Sequence, residues 1–450
     1  MELGRLPFPA AGSTAFHPEK RSVIGRRELI QGATIAAALF GTPLALTEQA
    51  LAQEAIPLPP QDLYTTDPDR YWAELRRQWL LAADRINLNC GALGCTPLPV
   101  LRAMVDHLIY AESFREPDLP WFGYAENKYI RSTREALAFY LNCKVDELAL
   151  TRNCTEGNNT VCHGLDMAPG DEVLLTDQEH PSGRNPWEQK AARFGIKLNF
   201  VKLPRPPTSA DEIVKLFENA LTPQTRIIVF SHMTWETGLL LPAKEICALA
   251  RRHGILTHID GAHGIGHIPL DLHDLGCDFY ATNGHKWLMA PKGSGLLFIR
   301  EEHLERLWVN TVSDEWRNYK LKAFRFSNVG TSNLSIIVGI KAALDFVNAI
   351  GLERIYARIH ELGAQVRDRL RAYNQIRLLN ASSDDFHSGL VSFGSAGGNL
   401  RRVLEECQRR YIRVRYWDDA GGRIRVSTHI FTQQTELNAF FDAVERGLRG

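Results

Sequence analysis

Between Thr257 and Leu297 the chain reads THIDGAHGIGHIPLDLHDLGCDFYATNGHKWLMAPKGSGLL. Asp260 closes the apolar run Ile255–Ile259. Lys286 follows a second such run, Asp278–Thr282, after Asn283-Gly284-His285. One strand–loop–helix–strand unit separates the two residues, and such a unit returns the chain to the same rim of a sheet. A carboxylate and a lysine at one rim can do a specific chemistry. The amine attacks an aldehyde and the carboxylate pairs with a protonated ring nitrogen, which is what pyridoxal 5′-phosphate (PLP) requires. The amine must be desolvated enough to be neutral part of the time. The same stretch holds His253, His258, Asp260, His263, His267 and His273. These are metal-ligand types, so a His/Asp metal-dependent hydrolase is a remote alternative, although no HExxH or paired CxxC spacing accompanies them. No dinucleotide, Walker or GxSxG motif is present.

Asp-Gly-Ala-His at 260–263 and Gly-His-Lys at 284–286 resemble the signatures of the class V aminotransferase family of PLP fold-type I enzymes. Isopenicillin N epimerase, cysteine desulfurases and kynureninase belong to that family. The resemblance implies that Lys286 is the Schiff-base lysine, Asp260 holds the pyridine nitrogen and His285 bonds the phosphate. His263 stands where many members place Gln against the cofactor's phenolic oxygen, and Asn283 is a further cofactor contact. Thr151–Asn159 (TRNCTEGNN) resembles the phosphate loop. The Thr155 hydroxyl and the Glu156 backbone are its expected contacts at a helix start, where free amides and the dipole favour an anion. Cys154 replaces a residue that is commonly Thr. His180, in Gln178-Glu179-His180-Pro181, matches the residue stacked on the ring. Arg425 matches the arginine that grips the substrate carboxylate, by a bidentate fork. Thr331 resembles the residue that reaches the partner's phosphate in a homodimer with shared active sites, and Asn89 borders the substrate. The plainer readings are an N-cap for Thr155 and a turn histidine for His180; Trp121, Trp235, Trp287, Trp308 and Trp316 are candidates to shape the substrate pocket, with buried packing as their plainer reading.

The elements that must position these residues alternate. Glu172–Thr176, Arg226–Ser231, Ile255–Ile259, Asp278–Thr282 and Gly295–Ile299 read as buried strands. Asp211–Ala220 and Ala243–His253 read as helices, with Gly254 placed to end the second. Continuous apolar strands spaced by helices form a largely parallel sheet covered on both faces, which binds ligands beyond its carboxyl ends. The resemblance gives the α/β class its detail: a large domain at 87–333 with a mostly parallel seven-stranded sheet, and a smaller C-terminal α/β domain at 334–450. That smaller domain reads as helices at Ile336–Asn348, Leu352–Tyr373 and Gln433–Leu448. Its three strands are near Gly389–Phe393, Tyr411–Val414 and Arg423–Ser427. Residues 53–86 form an N-terminal segment.

Residues 1–52 read as an export signal. Arg26-Arg27 precede an apolar run of about 15 residues, Gly32–Leu46, and Ala50-Leu51-Ala52 makes a cleavage site after Ala52. The arginine pair resembles a twin-arginine (Tat) signal, which implies passage through the Tat translocon to the periplasm or beyond. The run falls short of the roughly 20 residues of a membrane span, so no stable anchor is expected. The whole chain has 52 Lys+Arg against 52 Asp+Glu, and residues 1–52 hold five of the former and four of the latter. The remainder is therefore near −1, which gives no footprint for nucleic acid. Eight cysteines in 450 residues are too dilute for a disulfide scaffold.

For the reaction, the resemblance implies chemistry at Cα of an amino acid or of a peptide or metabolite with an amino group. Isopenicillin N epimerase-like members are the nearest in pattern, by epimerisation or transamination, and a C–S or other β-lyase is the alternative. Desulfurases carry a nucleophilic Cys shortly before the carboxylate-binding arginine. Tyr416–Arg423 (YWDDAGGR) contains none, and Cys407 lies in a helical stretch.

Overall fold

The computed structural model describes residues 56–113, 127–207, 209–379, 386–397, 399–419 and 421–449. The export signal and Trp121 lie outside them. Seven strands build the large sheet: β2 (Leu148–Thr151), β3 (Glu172–Thr176), β4 (Lys197–Val201), β5 (Thr225–Ser231), β6 (Leu256–Asp260), β7 (Phe279–Asn283) and β8 (Gly295–Ile299). Their order is β2-β8-β7-β6-β5-β3-β4, and β8 alone runs against the rest. Alternate side chains feed two separate cores. Leu148, Leu174, Ile228, Phe230, Ile259, Tyr280 and Phe298 face one layer. Ala149, Val173, Leu175, Ile227, Val229, Phe279 and Leu297 face the other. Burial on both faces is why these strands read as unbroken apolar runs rather than as alternation. The five strands read from such runs are all present. β4 escapes that reading because KLNFV at the sheet edge keeps only Val201 buried.

The helices start and stop where their ends find partners. Asn153 caps α1 (Cys154–Gly164) by accepting from the Glu156 amide. His180 caps α2 (Pro181–Phe194), whose first residue is a proline preset for a helix start. The helix Ala243–Arg252 is followed by Gly254 at φ +66°. Among the described residues no single helix is long and apolar enough to cross a membrane.

The C-terminal region departs from the expected three strands. Its sheet has four, all antiparallel, in the order β12 (Arg415–Trp417), β13 (Arg423–Ser427), β10 (Leu390–Ser395), β9 (Ile376–Leu378). The two edge strands are three residues long, too short to show a period. The run near Tyr411–Val414 does not join this sheet. Its residues Ile412 and Arg413 form β11, which pairs in parallel with β1 (Ile86–Asn87). A further parallel bridge joins Asn89 to Ser427, so the chain just before the 90–95 loop is held against β13.

Candidate active site

Most of the residues with chemistry follow the carboxyl ends of adjacent strands. Thr155 lies beyond β2, His180 beyond β3, Ser231 ends β5, Asp260 ends β6, Asn283 ends β7, and His285 and Lys286 follow it. They line one cavity of about 290 Å³ together with His263, Ser182, Met233 and Trp235. Asp260 is 4% exposed. Its Oδ2 accepts from Asn158 Nδ2 at 2.8 Å, and its Oδ1 accepts from the Ala262 amide at 3.0 Å and the Cys154 thiol at 3.3 Å. A carboxylate offers about four lone-pair positions, so one remains for a ligand donor. Burial lowers the Lys286 ammonium to a pKa of about 8, against the opposing pull of Asp260. A measurable fraction of the amine is thus neutral near pH 7.

The loop that backs Lys286 depends on a missing side chain. The Gly94 amide donates to the His285 carbonyl at 3.0 Å. A Cβ at Gly94 would lie 2.0 Å from the Lys286 carbonyl oxygen, so only glycine permits this approach.

Three imidazoles around the cavity are held in defined tautomers. Nδ1 of His180 accepts from the Ser182 amide at 3.1 Å, and burial depresses its basicity, so the ring is neutral with its proton on Nε2. Trp235 meets it edge-on at 4.9 Å. Nδ1 of His263 accepts from the Trp287 indole N–H at 3.1 Å, and burial holds this histidine far below its ordinary pKa. Its single proton is therefore on Nε2, available as a donor. Trp287 is itself clamped between His267, stacked at 3.6 Å, and His429, stacked at 5.5 Å. His267 uses both nitrogens, on the His263 carbonyl and the Gly389 amide, which leaves no lone pair for a metal. His285 donates from Nδ1 to the Ser294 carbonyl at 3.2 Å.

Arg425 reaches this rim from β13. It is 3% exposed. Its guanidinium donates to the Trp235 carbonyl and, at 3.3 Å, to Asn89 Oδ1. Its Nε has no partner. Burial lowers its pKa to about 10, with Arg415 adding to the effect. Asn89 is thus joined to Arg425, as a pair near a substrate carboxylate requires.

Two expectations, for Asn283 and Glu156, take a different form. Cys154 turns its thiol to Asp260 and to the Ala281 carbonyl, and its amide is held by Asn283 Oδ1 at 2.9 Å. Asn283 therefore orders the start of α1. The Glu156 amide is occupied by Asn153, and its carboxylate pairs with Arg152. Glu156 and Thr331 line a second cavity of about 390 Å³ beneath the phosphate loop, apart from Lys286. Asn158, Ser182, Ser231, Gly94 and Trp287 are participants that motif reading did not assign. Asn158 lies one turn after Cys154, a spacing that could have pointed to Asp260 only with the helix already in place. Trp308 bonds Asp166, away from the pocket.

A desolvated lysine, a carboxylate with one open position, a helix N-terminus and a neutral imidazole with a free N–H fit PLP. Residues 90–440 match the family model for aminotransferase class-V. The chain belongs to that family. Class V proteins of this kind have the PLP fold-type I architecture and use PLP, and both hold here. The chain is 33% identical over 394 residues to the isopenicillin N epimerase of Amycolatopsis lactamdurans, covering 83% of this chain and 98% of that protein. It is 26% identical over 389 residues to a "Probable cysteine desulfurase" of Halalkalibacterium halodurans, covering 80% and 92%. It also resembles a solved C-DES mutant with glycine covalently linked to the PLP cofactor, with TM-score 0.72 and 30% identity over 82% of this chain and 99% of that one. The cystine C–S lyase C-DES with its product cysteine persulfide gives TM-score 0.70 and 29% identity, over 81% and 98%.

Proposed function

We propose that this class V enzyme acts at Cα of an amino acid, or of a peptide or metabolite with a free amino group, in the manner of the isopenicillin N epimerases, by epimerisation or transamination. The observation that carries the reading is a buried guanidinium, Arg425, with no carboxylate beside it among the described residues, bonded to the carbonyl of Trp235, which walls the cavity of Lys286 and Asp260. When bound, PLP supplies an electron sink for a bond broken at Cα. Arg425 and Asn89 orient the substrate carboxylate. Asp260 keeps the ring nitrogen charged, and the His263 N–H supports the phenolic oxygen. Lys286, with a pKa near 8, carries the proton at Cα. Incubation with amino acids in deuterated water tests this. Exchange at Cα without keto acid supports epimerisation, keto acid supports transamination, and absence of exchange with every amine overturns the reading.

A second reading, a C–S or other β-lyase, is favoured by the likeness to C-DES. Release of cysteine persulfide, pyruvate and ammonia from cystine would select it. The persulfide route of a desulfurase is disfavoured, because Cys407 is fully buried in its helix and burial raises its thiol to a pKa of about 12.

The protein acts as a homodimer and after export. The apolar cavity bearing Thr331, Ile130, Ile336 and Ile340 beside the phosphate loop supports the first reading, and the paired arginines with the Ala52 site support the second. Sedimentation giving a monomer, or exported protein that begins at Met1, would refute each in turn.

A further inference from the structure

β12 and β13 pair so that Arg415 stands directly opposite Arg425. Directly opposed residues of an antiparallel pair share one face, with Cβ atoms about 5 Å apart, and like charges placed there destabilise the sheet. A counter-ion normally relieves such a pair. None is supplied here. The two carboxylates that reach this face, Glu236 and Asp419, both bind Arg423, at 2.9 and 2.8 Å. Asp418 pairs with Arg401. Among the described residues no carboxylate lies within ion-pair distance of Arg415 or Arg425.

The two cations are not scattered over a surface. Both lie around the Trp417 ring, at 5.3 and 5.9 Å from its centroid. Trp417 packs edge-on against Trp235 at 5.4 Å, and Trp235 is a wall of the Lys286 cavity. The indole N–H of Trp235 is buried without a partner. Beyond the Trp235 wall of the cavity, the small sheet thus presents a buried guanidinium, a more exposed one beside it and an aromatic ring between them.

We propose that Arg415 and Arg425 form a two-cation subsite and that the substrate is a dianionic amino acid, with a second carboxylate held by Arg415 while Arg425 takes the α-carboxylate. This rests on the reading of the pocket as an amino-acid site. Glu236 and Asp419, by saturating Arg423, keep the neighbouring arginine from competing for either carboxylate.

The test compares 2-aminoadipate with norleucine on the PLP-loaded enzyme, by Cα exchange in deuterated water. The wild type should favour the diacid in kcat/KM. Arg415→Gln should lower the diacid-to-monoacid ratio about tenfold, mainly through KM, as loss of one charge-assisted contact predicts. Arg415→Lys should keep most of the preference. Equal losses for both substrates would mean that Arg415 grips the α-carboxylate, and no change would mean a solvated arginine; either overturns the proposal. If no amino acid exchanges, the amino-acid reading fails, and calorimetry with glutarate and butyrate still decides the subsite. Tighter glutarate binding that Arg415→Gln removes supports it, and equal binding of the two acids overturns it. Arg415 is exposed, and a thermal melt confirms that the variants fold.

Discussion

The rim of the large sheet and the neighbouring face of the small sheet are built by opposite means. At the rim, each group follows the carboxyl end of a strand whose neighbours are fixed by burial on both faces, and opposite charges stand near one another there. Asp260 has three donors, and its charge opposes the effect of burial on Lys286. On the small sheet, the functional face is made by a three-residue edge strand and leaves two guanidiniums unmatched. The lesson concerns division of labour. A preorganised, satisfied surface suits a resident cofactor, whereas an unsatisfied one suits a ligand that arrives and leaves.

The comparison can be broken most directly at Lys286. Lys286→Ala should lower Cα exchange by about 10³-fold or more and abolish the pyridoxyl-lysine recovered after borohydride reduction and peptide mapping. In the wild type, capture of PLP by the apoprotein should quicken as pH rises through about 8, where the amine loses its proton. On the small-sheet side, Arg425→Gln should act mainly on binding. KM should rise about 100-fold with a smaller change in kcat, and a kcat effect as large as that of Lys286→Ala would erase the distinction drawn between the regions.

Glu179 sharpens the contrast at the rim. Burial raises its pKa to about 7, although Ser231 and Thr176 donate to it. The folded state holds this proton where the unfolded chain has released it. Stability should therefore fall as pH climbs from about 4.5 to 7, by about 3 kcal/mol at most. Denaturant melts across that window should show the slope in the wild type and a flatter line in Glu179→Gln.

The smallest effect is expected at Trp287. Trp287→Phe keeps an aromatic ring between His267 and His429 but removes the N–H that holds the His263 tautomer. The pH midpoint of the visible absorption band of the PLP-loaded protein should rise by up to about one unit, because the phenolic oxygen loses an assured donor. An unmoved midpoint would remove Trp287 from the machinery and leave it as packing.

Much of the rim was legible in the residues themselves. Glu172–Thr176, Arg226–Ser231 and the strands around Asp260 and Asn283 announce themselves by unbroken apolarity, and the residues after their ends are where a parallel sheet binds ligands. The small sheet was less legible. β9 and β12 are too short for a period, and the stretch at Tyr411–Val414 pairs with Ile86–Asn87, more than three hundred residues away, a choice that no local pattern encodes. Glu156 shows the same limit on a smaller scale. Its place in the phosphate loop is readable, but whether its amide is free depends on how Asn153 turns.

The sequence alone determined the placing of Asp260 and Lys286 at one rim, a helix start within the phosphate loop and the family, because these rest on short-range spacing and on apolar runs that admit one environment. Tertiary structure decided which arginine bonds the wall of the pocket, that Arg415 stands opposite it, and that Trp287 commands the proton of His263. Each of these depends on strand register or on contacts between distant segments. A slip of one residue in β12 or β13 would turn the same arginines to the opposite face.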